Sequence, residues 1–208
     1  MNGFNGRYSN LLKQISKRQP RTLMEVGTWN GVHGSRMLKY ARQYKKNAIY
    51  YGFDLFENMT PETAHKELNP KKVITRQDVV KQFAEEGFIL NVDYHLIQGV
   101  TKETLPRFAA SSRSLKEVMD FIFIDGGHSL ETIAEDLENC SKVADKDTCF
   151  LMDDYYSNRE DFGAKAVIEF YAANEGYTFK LLEPMDEVDN PELGKLQVNI
   201  IKVGMPKC

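Results

Sequence analysis

Residues 121–128 read FIFIDGGH, an apolar run that ends abruptly in a carboxylate, two glycines and an imidazole. Four consecutive apolar residues leave no polar face, so Phe121–Ile124 is predicted to be a central strand of a parallel sheet covered by helices on both sides. Asp125 then lies at the carboxyl end of that strand, the edge where ligands bind in open α/β sheets. Gly126 and Gly127 would let the backbone pass close to such a ligand.

A second apolar run, Cys149–Met152, also ends in carboxylates, those of Asp153 and Asp154. If the two strands are neighbours, three carboxylates meet at one edge of the sheet and repel one another unless a cation or protons separate them. A site made only of oxygen ligands suits magnesium, manganese or calcium better than zinc. The alternative is that Asp125 caps the helix that opens at Ser129, while the other two aspartates lie on a solvated loop.

The composition indicates one domain with a single core, because the chain has 208 residues and is 42% hydrophobic. Its formal net charge of -3 gives no electrostatic footprint for nucleic acid or an anionic membrane. The opening residues MNGFNGRYSN contain no stretch fit for a signal peptide, and no apolar run approaches the ~20 residues of a membrane span. We therefore expect a soluble, cytoplasmic protein whose partner is a small molecule. A homo-oligomer is compatible with the sequence.

The three cysteines are odd in number and lack metal-ligand spacing. Cys140 falls on the apolar face of a predicted helix and Cys149 in a strand, so both are expected to be buried thiols. Cys208 is expected to be exposed.

Hydrophobic runs alternate with helical patterns, which predicts strand-helix-strand units and a mostly parallel, seven-stranded sheet. The predicted strands are Thr22–Val26, Ile49–Phe53, Tyr94–Gln98, Phe121–Ile124, Cys149–Met152, Phe179–Leu182 and Leu196–Val203. The predicted helices are Tyr8–Ser16 in an N-terminal lead of residues 1–20, a helix from Gly31 to about Tyr44, Thr75–Glu86, Thr101–Ala110, Leu130–Val143 and Phe162–Asn174. The connection Pro184–Lys195 is too short for a crossover helix, so the last two strands are predicted to form an antiparallel hairpin.

The turn after the first predicted strand has the sequence EVGTWNG at residues 25–31, and Asp54 ends the second strand. Small residues between a strand and a helix N-terminus can cradle an anionic group, and an acidic residue at the next strand end can accept hydrogen bonds from ribose hydroxyls. A tight turn before any helix is the simpler alternative. Together these residues resemble motif I and its acidic partner in class I S-adenosylmethionine-dependent methyltransferases.

Within that superfamily the chain resembles the metal-dependent small-molecule O-methyltransferases, particularly the macrolide-sugar type and more distantly the catechol type, over Thr22–Asn174. The resemblance implies a Rossmann-like, doubly wound α/β fold and S-adenosylmethionine as cofactor. It also implies that Asp125, Asp153 and Asp154 hold Mg²⁺ or Mn²⁺ and that His128 stands at the position of a catalytic base.

The chain departs from the family pattern at three places. His33 replaces a common serine that meets the methionine carboxylate, Gly99-Val100-Thr101 replaces the usual G-D-S or G-A-S, and Trp29 stands where tyrosine is common. The resemblance implies cofactor contacts from Glu25, Gly27, Thr28, Trp29, Gly31, His33, Asp54, Gly99, Val100 and Asp125.

The implied reaction is an in-line attack by a substrate hydroxyl on the methyl group of the sulfonium. The cofactor carries the reactivity, so the protein has to align the oxygen and remove its proton. His128, with an ordinary pKa of ~6.5, could take that proton near neutral pH. It could instead be a loop histidine hydrogen-bonded to the backbone, or a metal ligand.

Residues 55–74 form a long connection at the same edge of the sheet and are predicted to be either a lid or a solvated insertion. Tyr155, Tyr156 and Arg159 follow the acidic pair and are candidates for contact with the acceptor. Aromatic and basic residues suit a sugar or a phenolic ring equally well.

Three other classes of protein share some of these features. A nicotinamide-dependent short-chain reductase would need a Tyr-x-x-x-Lys pair, and no tyrosine here has a lysine four residues on. A cofactor-binding protein without methyl transfer would have no need of the aspartates and His128. Nucleic-acid methylation is disfavoured by the acidic balance and by the absence of an N-P-P-Y type motif.

Overall fold

The protein is described by a computed structural model that covers residues 4–115, 118–191 and 193–206. The strands in this part of the chain are β1 Thr22–Val26, β2 Ile49–Asp54, β3 Tyr94–Gln98, β4 Phe121–Ile124, β5 Cys149–Tyr156, β6 Thr178–Asn190 and β7 Gly194–Gly204. The helices are α1 Ser9–Arg18, α2 Val32–Ala41, α3 Pro61–Lys66, α4 Arg76–Glu85, α5 Thr101–Leu115, α6 Leu130–Ser141 and α7 Ala164–Asn174, with 3-10 turns at Gly6–Tyr8 and Phe56–Asn58.

The strands form one sheet in the order β3-β2-β1-β4-β5-β7-β6. The first five strands are parallel, and β7 pairs antiparallel with both β5 and β6. The predicted fold class, a Rossmann-like sheet with an antiparallel C-terminal hairpin, is therefore confirmed. Strand order reverses between β1 and β4, so their carboxyl ends open onto a crevice.

The run FIFI is apolar throughout because both faces of β4 are buried. Phe121 and Phe123 belong to a core cluster that includes residues of α1, α2 and α4. Ile122 and Ile124 belong to a second cluster, which includes residues of α5, α6 and α7. Burying each such side chain contributes about 1.5–3 kcal/mol, so β4 is fixed from both sides and holds the residues at its end in place.

Several elements extend beyond their predicted bounds. Strand β5 continues past Met152 to Tyr156, because β7 pairs with it across a register shift between Met152 and Tyr155. The predicted loop Pro184–Lys195 is mostly strand, since β6 and β7 pair as far as Asn190 and Gly194. Helix α5 runs through Pro106, and α3 was not predicted.

Cys140 and Cys149 are buried free thiols, as predicted. The prediction for Cys208 lies outside the described residues. Among the helices that the structure describes, none combines the length and the apolar character needed to cross a membrane.

Candidate active site

The carboxylates of Asp125, Asp153 and Asp154 meet, as the sequence predicted, at the edge where β4 ends and where the parallel pairing of β5 with β4 stops at Met152. One oxygen from each lies within 4.8 Å of the others. Burial, with the nearby charge of Asp153, raises the pKa of Asp125 to about 7, and burial also raises the pKa of Asp153 although Arg7 opposes it. The alternative that Asp125 caps α6 is wrong, because Ser129 itself caps this helix by accepting from the Thr132 amide.

Internal cations already compensate two of these carboxylates. Arg7, in the N-terminal 3-10 turn, donates from Nε to one oxygen of Asp153 at 2.7 Å and from Nη2 to the other at 2.9 Å. The Nε2 atom of His128 lies 3.1 Å from Asp154 Oδ2. Bidentate guanidinium–carboxylate contacts of this kind are among the stronger hydrogen bonds in proteins.

His128 is held at both ring nitrogens. Nδ1 lies 2.8 Å from the backbone carbonyl of Glu67, and Nε2 faces Asp154. Burial lowers the pKa of His128, but the charge and hydrogen bond of Asp154 outweigh burial and raise it to about 9. The same pair holds the pKa of Asp154 well below its usual range despite burial. The pKa of His128 is thus raised above the ordinary value used in the sequence argument, which favours the imidazolium at neutral pH.

Two tyrosine hydroxyls complete the carboxylate cluster. Tyr156 donates to Asp154 Oδ1 at 2.9 Å, and Tyr8 donates to Asp125 Oδ2 at 3.4 Å. Tyr8 also accepts from Arg7 Nη2 at 3.0 Å. The N-terminal turn therefore contributes both a cation and a phenol to the cluster.

The glycines of the 25–31 turn are required by packing inside the protein. A Cβ on Gly27 would lie 1.9 Å from the backbone oxygen of Asp125, and one on Gly31 would lie 2.7 Å from Val79 Cγ1. Both have positive φ, 89° and 73°, which disfavours other residues. These glycines let the turn approach β4 and α4, and their predicted cofactor contacts stay predictions.

Asp54 stands at the end of β2 beside that turn. Its Oδ2 accepts from the Trp29 amide at 2.6 Å and its Oδ1 from the Phe56 amide at 2.9 Å. Burial raises its pKa, although these amides oppose the shift. With the Leu55 amide as a third donor, the two oxygens still have part of their capacity for about four hydrogen bonds left for a ligand hydroxyl.

The other predicted cofactor residues on β1 and α2 have internal partners. Glu25 is fully buried and accepts from the Tyr50 hydroxyl, which lies 3.3 Å from Thr28 Oγ1. Burial raises the pKa of Glu25 well above its usual range. His33 stacks against the rings of Phe4 and Tyr8, and burial together with the charge of Lys71 lowers its pKa to about 4.

A cavity of about 290 Å³ opens beside the cluster, and its walls include strand ends, the 55–74 segment and helix α6. Strand ends and the loops after them contribute Gly27, Trp29, Asp54, Val100, Asp125, Gly126 and Gly127. The 55–74 segment covers one side of the cavity. Within it, the backbone carbonyl of Lys72 accepts a hydrogen bond from Trp29 Nε1 at 3.0 Å. Lys71 also lines the cavity, and its pKa is raised mainly by the charge of Asp125. Gly99 closes β3 with a φ of 137°, ahead of Val100.

The three predicted acceptor residues have different surroundings. Tyr156 lies in the cluster, whereas Tyr155 packs in the second core cluster and donates to Glu169 at 2.8 Å. Arg159 pairs with Asp161 at 2.6 Å on an exposed loop. Both tyrosines belong to β5, although the strand was predicted to end at Met152 with a loop after it. Acceptor contact by Tyr155 and Arg159 stays a prediction without support from these contacts.

Sequence reasoning missed Arg7, Glu67, Lys71 and Asp136. The first three reach the site from segments distant in sequence, with no motif to mark them. Asp136 lines the cavity from α6, and neither of its buried oxygens has a hydrogen-bond partner within the described residues. Burial raises its pKa to about 7, although the Thr101 hydroxyl opposes the shift. An acidic residue at the centre of an apolar helix face was the available signal.

Comparison with known proteins gives one family match. A family model described as a methyltransferase domain matches residues 24–155, which include the turn, Asp54, the three aspartates and His128. The sequence matches no curated protein.

Solved structures of similar fold include methyltransferases of low sequence identity. The O-methyltransferase TomG from Streptomyces achromogenes, in complex with SAM, is 15% identical with a TM-score of 0.63, over 94% of this chain and 78% of that one. An O-methyltransferase from Bacillus cereus in complex with SAH is 17% identical with a TM-score of 0.58, over 94% and 79%. A putative caffeoyl-CoA O-methyltransferase from Staphylococcus aureus is 15% identical with a TM-score of 0.59, over 94% and 81%.

Proposed function

The chain belongs to the methyltransferase-domain family whose model matches residues 24–155, and from that premise we propose that it is an S-adenosylmethionine-dependent O-methyltransferase. The proposed acceptor is a hydroxyl on a small molecule, a sugar or a phenol, and the proposed metal is Mg²⁺ or Mn²⁺. The observation that carries the proposal is the cavity lined by Gly27, Asp54 and Asp125, because one oxygen of Asp125 also lies within 4.8 Å of an oxygen from each of the other two aspartates.

The residues of the cavity suit a nucleoside with an attached amino acid. Asp54 offers lone pairs for ribose hydroxyls, and Val100 is 52% exposed at the cavity wall, where an apolar ring could lie. Lys71 supplies a positive charge for a carboxylate. The bound sulfonium would supply an electrophilic methyl group.

The reaction needs an aligned oxygen and a group that takes its proton. The substrate oxygen forms a bond to the methyl carbon while the carbon–sulfur bond breaks, and the electron pair stays on sulfur. His128 is the proposed proton acceptor through Nε2, the ring atom that faces the cluster. Because Asp154 raises the pKa of His128 to about 9, the ring has to lose its proton before it can act as a base.

The donor set fits a hard divalent cation in kind and spacing, since three carboxylate oxygens lie within 4.8 Å of one another. A cation held by Asp125, Asp153 and Asp154 would supply positive charge that eases loss of the substrate proton. Both oxygens of Asp153 accept from Arg7, so the guanidinium and a bound cation would compete for that carboxylate.

Calorimetry with S-adenosylhomocysteine tests the cofactor assignment. We expect the wild type to bind and Asp54→Asn or Asp54→Ala to lose on the order of 1–3 kcal/mol of binding free energy, because a ribose acceptor is removed. Asp161→Asn is the matched control, since Asp161 is an exposed carboxylate paired with Arg159. Thermal unfolding of each variant shows whether the turn near Trp29 stays folded.

Two results would contradict the proposal. If the wild type does not bind S-adenosylhomocysteine at millimolar concentration, the cofactor assignment fails. If it binds but releases no S-adenosylhomocysteine from S-adenosylmethionine with any sugar or phenolic acceptor, with and without Mg²⁺, the chain is a cofactor-binding protein of this fold.

A further inference from the structure

Glu67 joins the 55–74 segment to the loop that carries His128. Its Oε2 accepts from the backbone amides of His128 and Ser129, each at 2.7 Å. Its Oε1 accepts from Ser129 Oγ at 2.9 Å and from Thr132 Oγ1 at 2.7 Å. Burial raises the pKa of this carboxyl, but the four hydrogen bonds outweigh burial and hold it below its usual value. Glu67 is therefore an anion clamped to the start of α6.

The backbone carbonyl of the same residue fixes the His128 ring. His128 Nδ1 lies 2.8 Å from the Glu67 oxygen, and a carbonyl can only accept, so Nδ1 carries a hydrogen in either charge state of the ring. Nε2 is then the atom left to face Asp154 at 3.1 Å. One residue thus holds both the backbone and the ring of His128.

Gly127 leaves the space that the Glu67 carboxylate occupies. A Cβ on Gly127 would lie 2.7 Å from Glu67 Oε2 and 2.6 Å from Thr132 Cγ2. The second glycine of D-G-G-H therefore admits a carboxylate of the protein, where the sequence suggested approach to a ligand.

The 55–74 segment is attached to other parts of the protein through Phe56 and Ile74, which pack on the core cluster of Phe121, and through the Lys72 carbonyl, which accepts from the Trp29 indole. All of its residues are described, and only Phe56 and Glu67 among them are buried. Helix α3 within it buries no residue, and its ion pair between Lys66 and Glu131 is more than half exposed on both sides. Exposed pairs of this kind contribute about 0–1 kcal/mol, so the Glu67 contacts are the main attachment to α6.

We infer that Glu67 is a positioning residue that ties closure of the 55–74 segment over the cofactor cavity to the orientation of the His128 ring. In the closed conformation seen in the structure, the 55–74 segment lines the cavity, and the Glu67 carbonyl orients the His128 ring so that Nε2 faces the carboxylate cluster. If the segment moves away from α6, the His128 ring loses the Glu67 carbonyl as the partner of Nδ1. The roles of the cavity as cofactor site and of His128 as proton acceptor rest on the proposed function.

The first test measures hydrogen exchange and the His128 ring in the protein without ligand. In protein labelled with ¹⁵N at its four histidines, the Nδ1 proton of His128 should give a signal protected from water, assigned by its loss in His128→Gln. In Glu67→Gln the negative charge is lost and one of the two acceptor oxygens becomes an NH2 group, so the contacts to the amides and hydroxyls weaken and that signal should disappear. The amides of residues 128 and 129 should exchange at least tenfold faster.

Two further variants separate positioning from general loosening. Gly127→Ala should reproduce the effect of Glu67→Gln without altering Glu67, because the added methyl displaces its carboxylate. Lys66→Met removes the neighbouring exposed ion pair and should leave both readouts within twofold of the wild type. Glu67→Asp keeps the charge, but its side chain is too short to reach all four donors. The amides of residues 128 and 129 should therefore exchange at an intermediate rate in this variant, which replaces Glu67→Gln in the test if that variant does not fold.

The inference is overturned if Glu67→Gln keeps the Nδ1 signal and the wild-type exchange rates, or if Lys66→Met loses them equally. Added S-adenosylhomocysteine should slow exchange of residues 55–74 and of residues 128 and 129 together in the wild type. If slowing is confined to the 55–74 segment, the coupling is rejected while cofactor binding stands. If nothing changes on addition, the proposed function fails, and the ligand-free comparison still decides the role of Glu67.

Discussion

At the scale of single residues, Asp136 makes stability depend on pH. Burial raises its pKa to about 7 in the folded protein, whereas an unfolded aspartate ionises near 3.9. Between these two pH values the Asp136 carboxyl is ionised in the unfolded chain and protonated in the folded protein. Stability from this group is therefore lost as pH rises from about 4 to about 7 and is constant above that, with a slope of at most about 1.4 kcal/mol per pH unit.

Asp136→Asn should remove this dependence. Relative to the wild type, its free energy of unfolding should gain little near pH 4 and progressively more up to pH 7, as measured by urea unfolding at several pH values. Asp147→Asn, a substitution at an exposed carboxylate, should follow the wild-type curve. A stability difference that is the same at every pH would show that Asp136 titrates normally.

Residue-level prediction succeeded where two strand ends carry the chemistry. Asp125, Asp153 and Asp154 meet because β4 and β5 pair in parallel register, and short apolar runs ending in aspartate signal that arrangement. Arg7 and Glu67 were not predicted, because each reaches the cluster through a tertiary contact. Arg7 contacts Asp153 across 146 positions in the chain, and no local pattern encodes such a pairing.

At the scale of elements, the proposed metal ion would have to compete with Arg7 of the N-terminal 3-10 turn for Asp153. Arg7→Met removes the guanidinium but keeps most of the side-chain length, and the Arg7 amide still donates to Asp186 at 3.1 Å, so the turn stays anchored. We expect Mn²⁺ to bind the variant at least tenfold more tightly than the wild type, a gain of about 1.4 kcal/mol. Calorimetric titration with Mn²⁺ measures it.

Arg159→Met is the matched control, because Arg159 pairs with Asp161 on an exposed loop. It should leave Mn²⁺ affinity unchanged. Equal affinity in the wild type and Arg7→Met would show that Arg7 does not compete for the site. No binding by either protein, with S-adenosylhomocysteine present, would reject the metal site.

The bounds of strands were predicted well where both faces of the strand are buried, and less well where strands pair in antiparallel orientation. The bounds of β1, β3 and β4 match the prediction, because a short apolar run bounded by polar residues leaves little choice. In β6, residues 183–187 are mostly exposed and acidic, so they look like loop in the sequence. Asp186 and Glu187 pair with β7, and residues 183–185 lie in the register shift between the two paired stretches of β6. Helix α3 was missed because it has no buried face.

At the scale of the whole molecule, the sheet links the two core clusters to the cavity. Alternate residues of β4 enter opposite clusters, and the end of β4 supplies Asp125 to the cavity wall. The sequence predicts this layering, since strand and helix patterns alternate. It does not predict how the 55–74 segment lies over the cavity, which depends on the fit of Glu67 against α6.

Because the cavity is walled by several strand ends and by the 55–74 segment, a ligand bound there should stabilise the molecule as one unit. At a concentration of S-adenosylhomocysteine 100 times its Kd, linkage adds about 2.7 kcal/mol to the free energy of unfolding. For a chain of 208 residues this corresponds to a rise in Tm of roughly 5–10 °C. Differential scanning fluorimetry and circular dichroism should report the same single transition, with a much smaller rise in Asp54→Ala at the same ligand concentration. If the two probes separate, with only one transition moving, the cavity and the C-terminal hairpin unfold independently and the sheet does not transmit the stabilisation.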